Sequence, residues 1–273
     1  MERTQAALEK ARRQRQRLSS QQADEVASAV RPAPAMAPMP SHPCQQISLS
    51  PRHLRNHRIV AGEINGDAAD IFRMLRTQVL RRLESRGSRT LAICSAGDGE
   101  GKTVVGINLA ISLALEPNHT VLLVDLDFRR PSIHQYFGFS PEVGLDDVLA
   151  GRAVIDEALV NPGYERLLVL PTRGVVPLSS EVLMSEKMAA LARDLRDGAA
   201  DRLVVYDLPP VLQVDDCLAF LRHLDACLFV IEEGASRASE VLRALNLIEA
   251  DKIIGTVLNK ASGRNKEYYD YSS

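Results

Sequence analysis

With 273 residues, 45% of them apolar, the chain has material for one α/β domain of about 200 residues and a tail. Lys and Arg (33) nearly balance Asp and Glu (35), which argues against a nucleic-acid partner, and an absence of Trp with 4% aromatics removes stacking platforms for bases. No apolar run approaches the ~18 residues of a membrane span, and none near the N-terminus resembles a signal-peptide core. Cys44, Cys94, Cys217 and Cys227 lack metal-site spacing and read as reduced thiols, Cys94 and Cys227 lying in apolar strands.

Residues 1–57 stand apart from the rest. MERTQAALEKARRQRQRL is basic and helix-prone without a continuous apolar stripe, and RPAPAMAPMPSHP can neither continue a helix nor pair in a sheet. The segment is read as a short helix on a disordered linker, the helix being either a solvated charged face or an arm for an acidic membrane surface or a partner. From residue 68, AADIFRMLRTQVLRRLE predicts a helix with Ile71, Leu75, Gln78, Val79 and Leu83 near one face and Asp70, Arg73 and Arg76 on a neighbouring one.

Strands and helices then alternate. Strands are expected at 90–95, 120–125, 167–170, 202–206, 226–231 and 253–258. Helices are expected at 102–115, around 131–136, 144–149 and 153–159, and at 179–184, 186–197, 215–223 and 237–249. Near-continuous Val/Ile/Leu strands separated by helices imply a mostly parallel sheet covered by helices on both faces, with ligands at the carboxyl ends of the strands. The folded domain is placed at 58–263, and 264–273 is read as a flexible tail.

Between the first strand and its helix stands SAGDGEGKT, residues 95–103. Strand, glycine-rich turn and helix N-terminus ending in Gly-Lys-Thr is the arrangement of a P-loop NTPase. Gly97, Asp98, Gly99, Glu100, Gly101, Lys102, Thr103 and Val104 are the cofactor-binding candidates. Lys102 supplies a mobile charge for the β/γ-phosphates of ATP, and the Thr103 hydroxyl can sit on Mg²⁺. The strict pattern has Gly where this chain has Ala96. Asp125 and Asp207 each follow an apolar strand, where such proteins keep the carboxylates that hold Mg²⁺, in part through water. Asp127 lies two residues beyond Asp125, so on an extended segment both side chains point the same way.

The combination SAGDGEGKT, VLLVDLDFRRPSIHQYFG, GLDDVLAG, PLSSEVL, LVVYDLPPVLQVDD, VIEEG and GTVLNK resembles the bacterial tyrosine kinases of exopolysaccharide and capsule loci. It is most similar to the stand-alone autokinases of exosortase-linked polysaccharide operons. DLDFRRPSIH separates them from the partition and cell-division ATPases of the same fold, which carry an extra Lys where this chain has Gly97. The resemblance implies catalytic roles for Lys102, Asp125, Asp127 and Asp207, with Asp127 helping a tyrosine hydroxyl lose its proton. It implies an adenine contact at Asn259 and a role for Asp216 after the Pro-Pro turn, and it puts Arg129 and Arg130 near transferred-phosphate charge.

Asp70-x-x-Arg73-x-x-Arg76 resembles the family's ring-forming E-x-x-R-x-x-R helix, with Asp one methylene shorter than Glu. The ending EYYDYSS resembles its tyrosine cluster, which implies Tyr268, Tyr269 and Tyr271 as phosphoacceptors used in trans. Asp98 stands where relatives often have Pro, and an extra carboxylate there is expected to weaken nucleotide binding. Leu208 stands where many have Thr.

Also implied are a cytoplasmic location at the inner face of the plasma membrane, a homo-oligomer, a membrane-anchored polysaccharide chain-length regulator as activator, and a protein-tyrosine phosphatase. Two other readings share the loop and fold. One is a partition-type ATPase that switches dimers, and the other is a non-catalytic nucleotide-sensing scaffold.

Overall fold

The computed structural model describes residues 44–64 and 66–262. The basic N-terminal stretch and the tail tyrosines Tyr268, Tyr269 and Tyr271 lie outside the described residues. The strands are β1 (Gln45–Gln46), β2 (Thr90–Ser95), β3 (Thr120–Asp125), β4 (Val160–Asn161), β5 (Leu167–Leu170), β6 (Arg202–Asp207), β7 (Ala226–Glu232) and β8 (Ile253–Asn259). They form one sheet in the order β1-β4-β5-β3-β6-β2-β7-β8, parallel throughout except for the β4–β5 pair. β2, β3 and β5 are buried along their whole length. That is why they read as unbroken apolar runs: with helices on both faces, no alternation survives.

The helices are α1 (Pro51–Asn56), α2 (Asp67–Glu84), α3 (Lys102–Ala114), α4 (Ile133–Phe137), α5 (Leu145–Leu149), α6 (Ile155–Ala158), α7 (Ser179–Met184), α8 (Glu186–Asp197), α9 (Asp216–Phe220) and α10 (Ala238–Leu245). α3 is almost wholly buried, and Gly106 lets it lie close on β2, since a Cβ there would stand 3.3 Å from Ile93 Cγ1. No helix of the described residues is long and apolar enough to cross a membrane.

Regular structure begins before residue 58, inside the stretch read as linker. β1 pairs with β4, and Ser50 caps α1 by accepting the His53 N–H at 3.4 Å. The tie is Asn108, fully buried on α3. It accepts the Val60 and Ala61 N–H groups at 2.8 and 2.9 Å and donates to the Arg58 carbonyl at 2.9 Å. A buried amide satisfied this way fixes a segment that carries no periodic signal of its own.

The buried stripe of α2 also departs from expectation. Val79 and Leu83 are buried and Phe72 and Leu75 pack on the core, but Ile71 is 59% exposed.

Candidate active site at the strand ends

β3 and β6 are neighbours in register, and Asp125 pairs with Asp207 at their last step. Two carboxylates that the sequence places 82 residues apart therefore end side by side, next to the turn that leaves β2. In that turn Gly99 and Gly101 take φ of +77° and +90°, which side-chain-bearing residues rarely adopt. A Cβ on Gly101 would also lie 2.1 Å from the Asn259 amide nitrogen.

Lys102, on the first turn of α3, reaches back over the loop. Its Nζ donates to Asp127 Oδ2 at 3.0 Å and stands 3.8 Å from Asp207 Oδ1. Thr103 Oγ1 donates to Asp207 Oδ2 at 2.6 Å. Asp125 Oδ2 accepts the Ser132 and Ile133 N–H groups at 2.9 and 3.0 Å. Thr172 donates to the Asp125 carbonyl at 2.7 Å. Asp127 Oδ1 accepts the Arg130 N–H at 3.0 Å. All four charged side chains are buried.

Burial and the Asp207 carboxylate together push Asp125 up to about 8, although its two backbone hydrogen bonds oppose the shift. Asp207 is also raised, by burial first, against the pull of Lys102 and Thr103. Burial works to lower Lys102, but the carboxylates of Asp207 and Asp127 outweigh it and hold the ammonium above its ordinary range. Three carboxylates therefore share one lysine in a low-dielectric pocket. The set is short of positive charge.

Mg²⁺ fits that shortfall. Asp207 Oδ1 is buried without a hydrogen-bond partner, while Asp207 Oδ2 accepts from the Thr103 hydroxyl and Asp125 ends the neighbouring strand at the same step. Among the described residues no three His, Cys, Asp or Glu side chains enclose a metal by themselves. That is expected where the ion takes most of its oxygens from phosphate and water. Thr103, Asp207 and Asp125 are the residues that would hold it.

The loop is braced from its far side by residues after β7 and on β8. Glu100, itself buried, accepts the Gly97 N–H at 3.1 Å and the Ser236 hydroxyl. Asn259 Nδ2 donates to the Glu100 carbonyl at 2.8 Å, and Lys260 Nζ to the Gly99 carbonyl at 2.7 Å. The structure thus places Asn259 against the loop backbone, while the Val104 carbonyl accepts from Asn108.

Arg129 donates to the buried Asp216 at 3.2 Å. Ser236, Lys260 and Thr172 escape sequence reasoning, for their partners lie 136, 161 and 47 residues away. Only the position of β7, β8 and β5 beside the loop strands hints at them. On α2, Asp70 pairs with Arg73, which also donates to the Glu63 and Ile64 carbonyls, and Arg76 donates to the Ser112 carbonyl.

A parallel sheet with this loop and these strand-end carboxylates defines a phosphate-loop nucleotide-binding domain. Residues 91–272 match the family model of the CobQ/CobB/MinD/ParA nucleotide binding domain. Tyrosine-protein kinase YwqD of Bacillus subtilis is 30% identical over 205 residues, covering 74% of this chain and 85% of that protein. The succinoglycan biosynthesis transport protein ExoP of Rhizobium meliloti is 33% identical over 76% of this chain but only 26% of its own length. The kinase domain of Escherichia coli tyrosine kinase ETK superposes with a TM-score of 0.69 at 31% identity, covering 79% of this chain and 84% of that one. The chain belongs to the CobQ/CobB/MinD/ParA nucleotide-binding domain family, among the bacterial tyrosine kinases.

Proposed function

We propose that the protein is an ATP-dependent protein-tyrosine autokinase that phosphorylates Tyr268, Tyr269 and Tyr271 of a neighbouring copy and so regulates exopolysaccharide polymerisation or export. The observation that carries this reading is the Lys102–Asp127 pair, 3.0 Å long, set beside Asp125 and Asp207. A hydrolase needs only to place water. Here a third carboxylate, Asp127, stands on Lys102 beside the two strand-end aspartates, and transfer to a side-chain hydroxyl needs such a base.

When bound, Mg²⁺ supplies charge neutralisation for the phosphates. Thr103, Asp207 and Asp125 hold it, and the loop N–H groups cradle the phosphates. Lys102, drawn from Asp127 to the phosphate oxygens, stabilises charge on the transferred group. Its departure leaves Asp127 Oδ2 free to accept the proton of a tyrosine hydroxyl, whose oxygen then forms the new bond to phosphorus as the bond to ADP breaks. Arg130 N–H keeps the other Asp127 oxygen in place. Each phosphotyrosine adds about −1.5 to −2 charges, enough for repulsion to loosen a ring assembled through Asp70, Arg73 and Arg76.

The same reading includes a cytoplasmic location at the membrane's inner face. It also includes a chain-length regulator as activator and a phosphatase that resets the tail. ExoP, named for succinoglycan transport, supports the polysaccharide context.

The test is incubation with ATP and Mg²⁺, with and without the cytoplasmic tail of a chain-length regulator, followed by mass spectrometry of the tail. Phosphate is expected on tyrosine and stimulated by the activator. Asp127→Asn is expected to lower the rate about 10²–10⁴-fold while nucleotide still binds. Phosphate on serine alone, or none in either condition, refutes the proposal. ATP-dependent dimerisation without phosphotyrosine would instead support a switch ATPase of the MinD/ParA kind, which the family match also covers.

A further inference from the structure

Asp98 is a carboxylate within the phosphate loop, where it is expected to repel an anionic ligand. The structure gives it partners instead. Asp98 Oδ2 accepts from Arg130 Nη1 at 2.5 Å. With its amide turned so that nitrogen faces the carboxylate, Gln213 donates to Asp98 Oδ2 at 3.1 Å and accepts the Asp98 N–H at 3.2 Å. These contacts join three separate segments: the phosphate loop after β2, the turn after β3 and the loop after β6. Arg130 is also the residue whose N–H holds Asp127 Oδ1 at 3.0 Å. One residue therefore grips the loop tip with its side chain and the carboxylate of the proposed base with its backbone.

We propose that Asp98 and Arg130 form a clasp that sets the Asp127 turn against the phosphate loop, which makes Arg130 a positioning residue for phosphoryl transfer. The inference rests on the kinase reading for its effect on rate, but not for its effect on structure. The Arg130 side chain is 75% exposed and that of Asp98 40%, so the clasp is screened by solvent and its effects are modest. It stays effective because the groups it aligns, Lys102 and Asp127, are buried and sensitive to small displacements. Asp98, in this arrangement, is neutralised on the protein side before any phosphate arrives.

Two measurements on the full chain decide it. The first is hydrogen–deuterium exchange of the peptide spanning 126–134. Asp98→Asn, a change in the loop alone, is expected to raise exchange there about threefold, as Arg130→Ala does. Unchanged exchange in Asp98→Asn overturns the clasp, whatever the activity.

The second is the single-turnover rate of tail phosphorylation at saturating ATP, alongside affinity for a fluorescent ADP analogue. Each single variant is expected to slow the rate about fivefold with affinity changed less than twofold, and Asp98→Asn/Arg130→Ala to be no slower than either alone. Arg130→Lys is expected to recover part of the rate. Additive losses, or a loss confined to affinity, mean that Arg130 touches phosphate directly and overturn the positioning role. Should the wild type form no phosphotyrosine, the kinase reading falls while the exchange data still judge the clasp.

Discussion

The strand-end site and the outer face of α2 are built from the same residue types, and they differ in where those residues lie. In the site, the side chains of Lys102, Asp127 and Asp207 are 10%, 7% and 1% exposed. On α2, Arg73 and Asp70 are 32% and 58% exposed. Coulomb energy between charges a few ångströms apart is several-fold larger in the first setting than in the second. So is the cost of leaving a charge alone. The buried set is consequently held short of positive charge, ready for a cation and an anion together, whereas the α2 pair is a solvated ladder that folding scarcely notices.

Removing the cation from each set tests this contrast, and the buried one has the larger expected effect. Lys102→Met leaves Asp127 and Asp207 without their shared ammonium. A loss of about 3–5 kcal/mol is expected for an uncompensated buried charge at pH 8, and less at pH 5, since burial raises the Asp207 carboxyl and favours its neutral form. Nucleotide binding is expected to vanish as well. Thermal melts at both pH values, with titration of a fluorescent ADP analogue, check it. A variant as stable as wild type at pH 8 would mean that the site is far wetter than its burial implies.

How much of the fold and site is legible in the sequence depends on whether the determining interaction is local. The buried strands announce themselves through unbroken apolar runs such as TVLLVD and RLVVYD. Because a parallel sheet gathers its ligand groups at strand ends, Asp125, Asp207 and the loop follow from the same pattern. β1 and β4, two residues each, carry no period to detect. The placement of residues 58–61 depends on Asn108, which lies 47 residues beyond Ala61. Ile71 fits the helical period yet faces out, because which arc of α2 is covered is decided by α3 and not by α2 itself. The Asp98–Arg130 contact is equally hidden: each residue looks like a surface charge until β2 and β3 flank β6 and the loops after them meet across its end.

Within the buried set, acid titration sharpens the comparison at an intermediate scale. Asp125 is ordinarily ionised above pH 4 but here holds its proton up to about pH 8. The folded state then binds more protons than the unfolded chain between those values, so stability falls as pH rises from about 4 to 8. Asp207, shifted in the same direction, adds to the slope. Asp125→Asn is expected to flatten the melting temperature between pH 5 and 8. At pH 8 it should exceed the metal- and nucleotide-free wild type by about 3–6 °C, equivalent to about 1–2 kcal/mol. Magnesium with nucleotide is expected to flatten the wild-type profile too, by compensating the same charge, and stripping them should restore the slope. A wild-type melting temperature that climbs from pH 5 to 8 would contradict the upward shift of Asp125.

The smallest expected effect lies on α2. Asp70→Ala removes an i,i+3 partner from Arg73, whose guanidinium keeps its bonds to the Glu63 and Ile64 carbonyls. For an exposed pair of this spacing the cost is under about 0.5 kcal/mol and shrinks further in high salt. The monomer's melting temperature should therefore move by no more than a degree or two. Light scattering with ATP and Mg²⁺ is the more informative measurement. If the α2 face joins copies of the chain, the oligomer should dissociate in Asp70→Ala while the melt stays put, since an interface charge is desolvated only on assembly. A melt lowered by several degrees would instead place Asp70 with the buried charges, and the distinction between the two sets would fail at that residue.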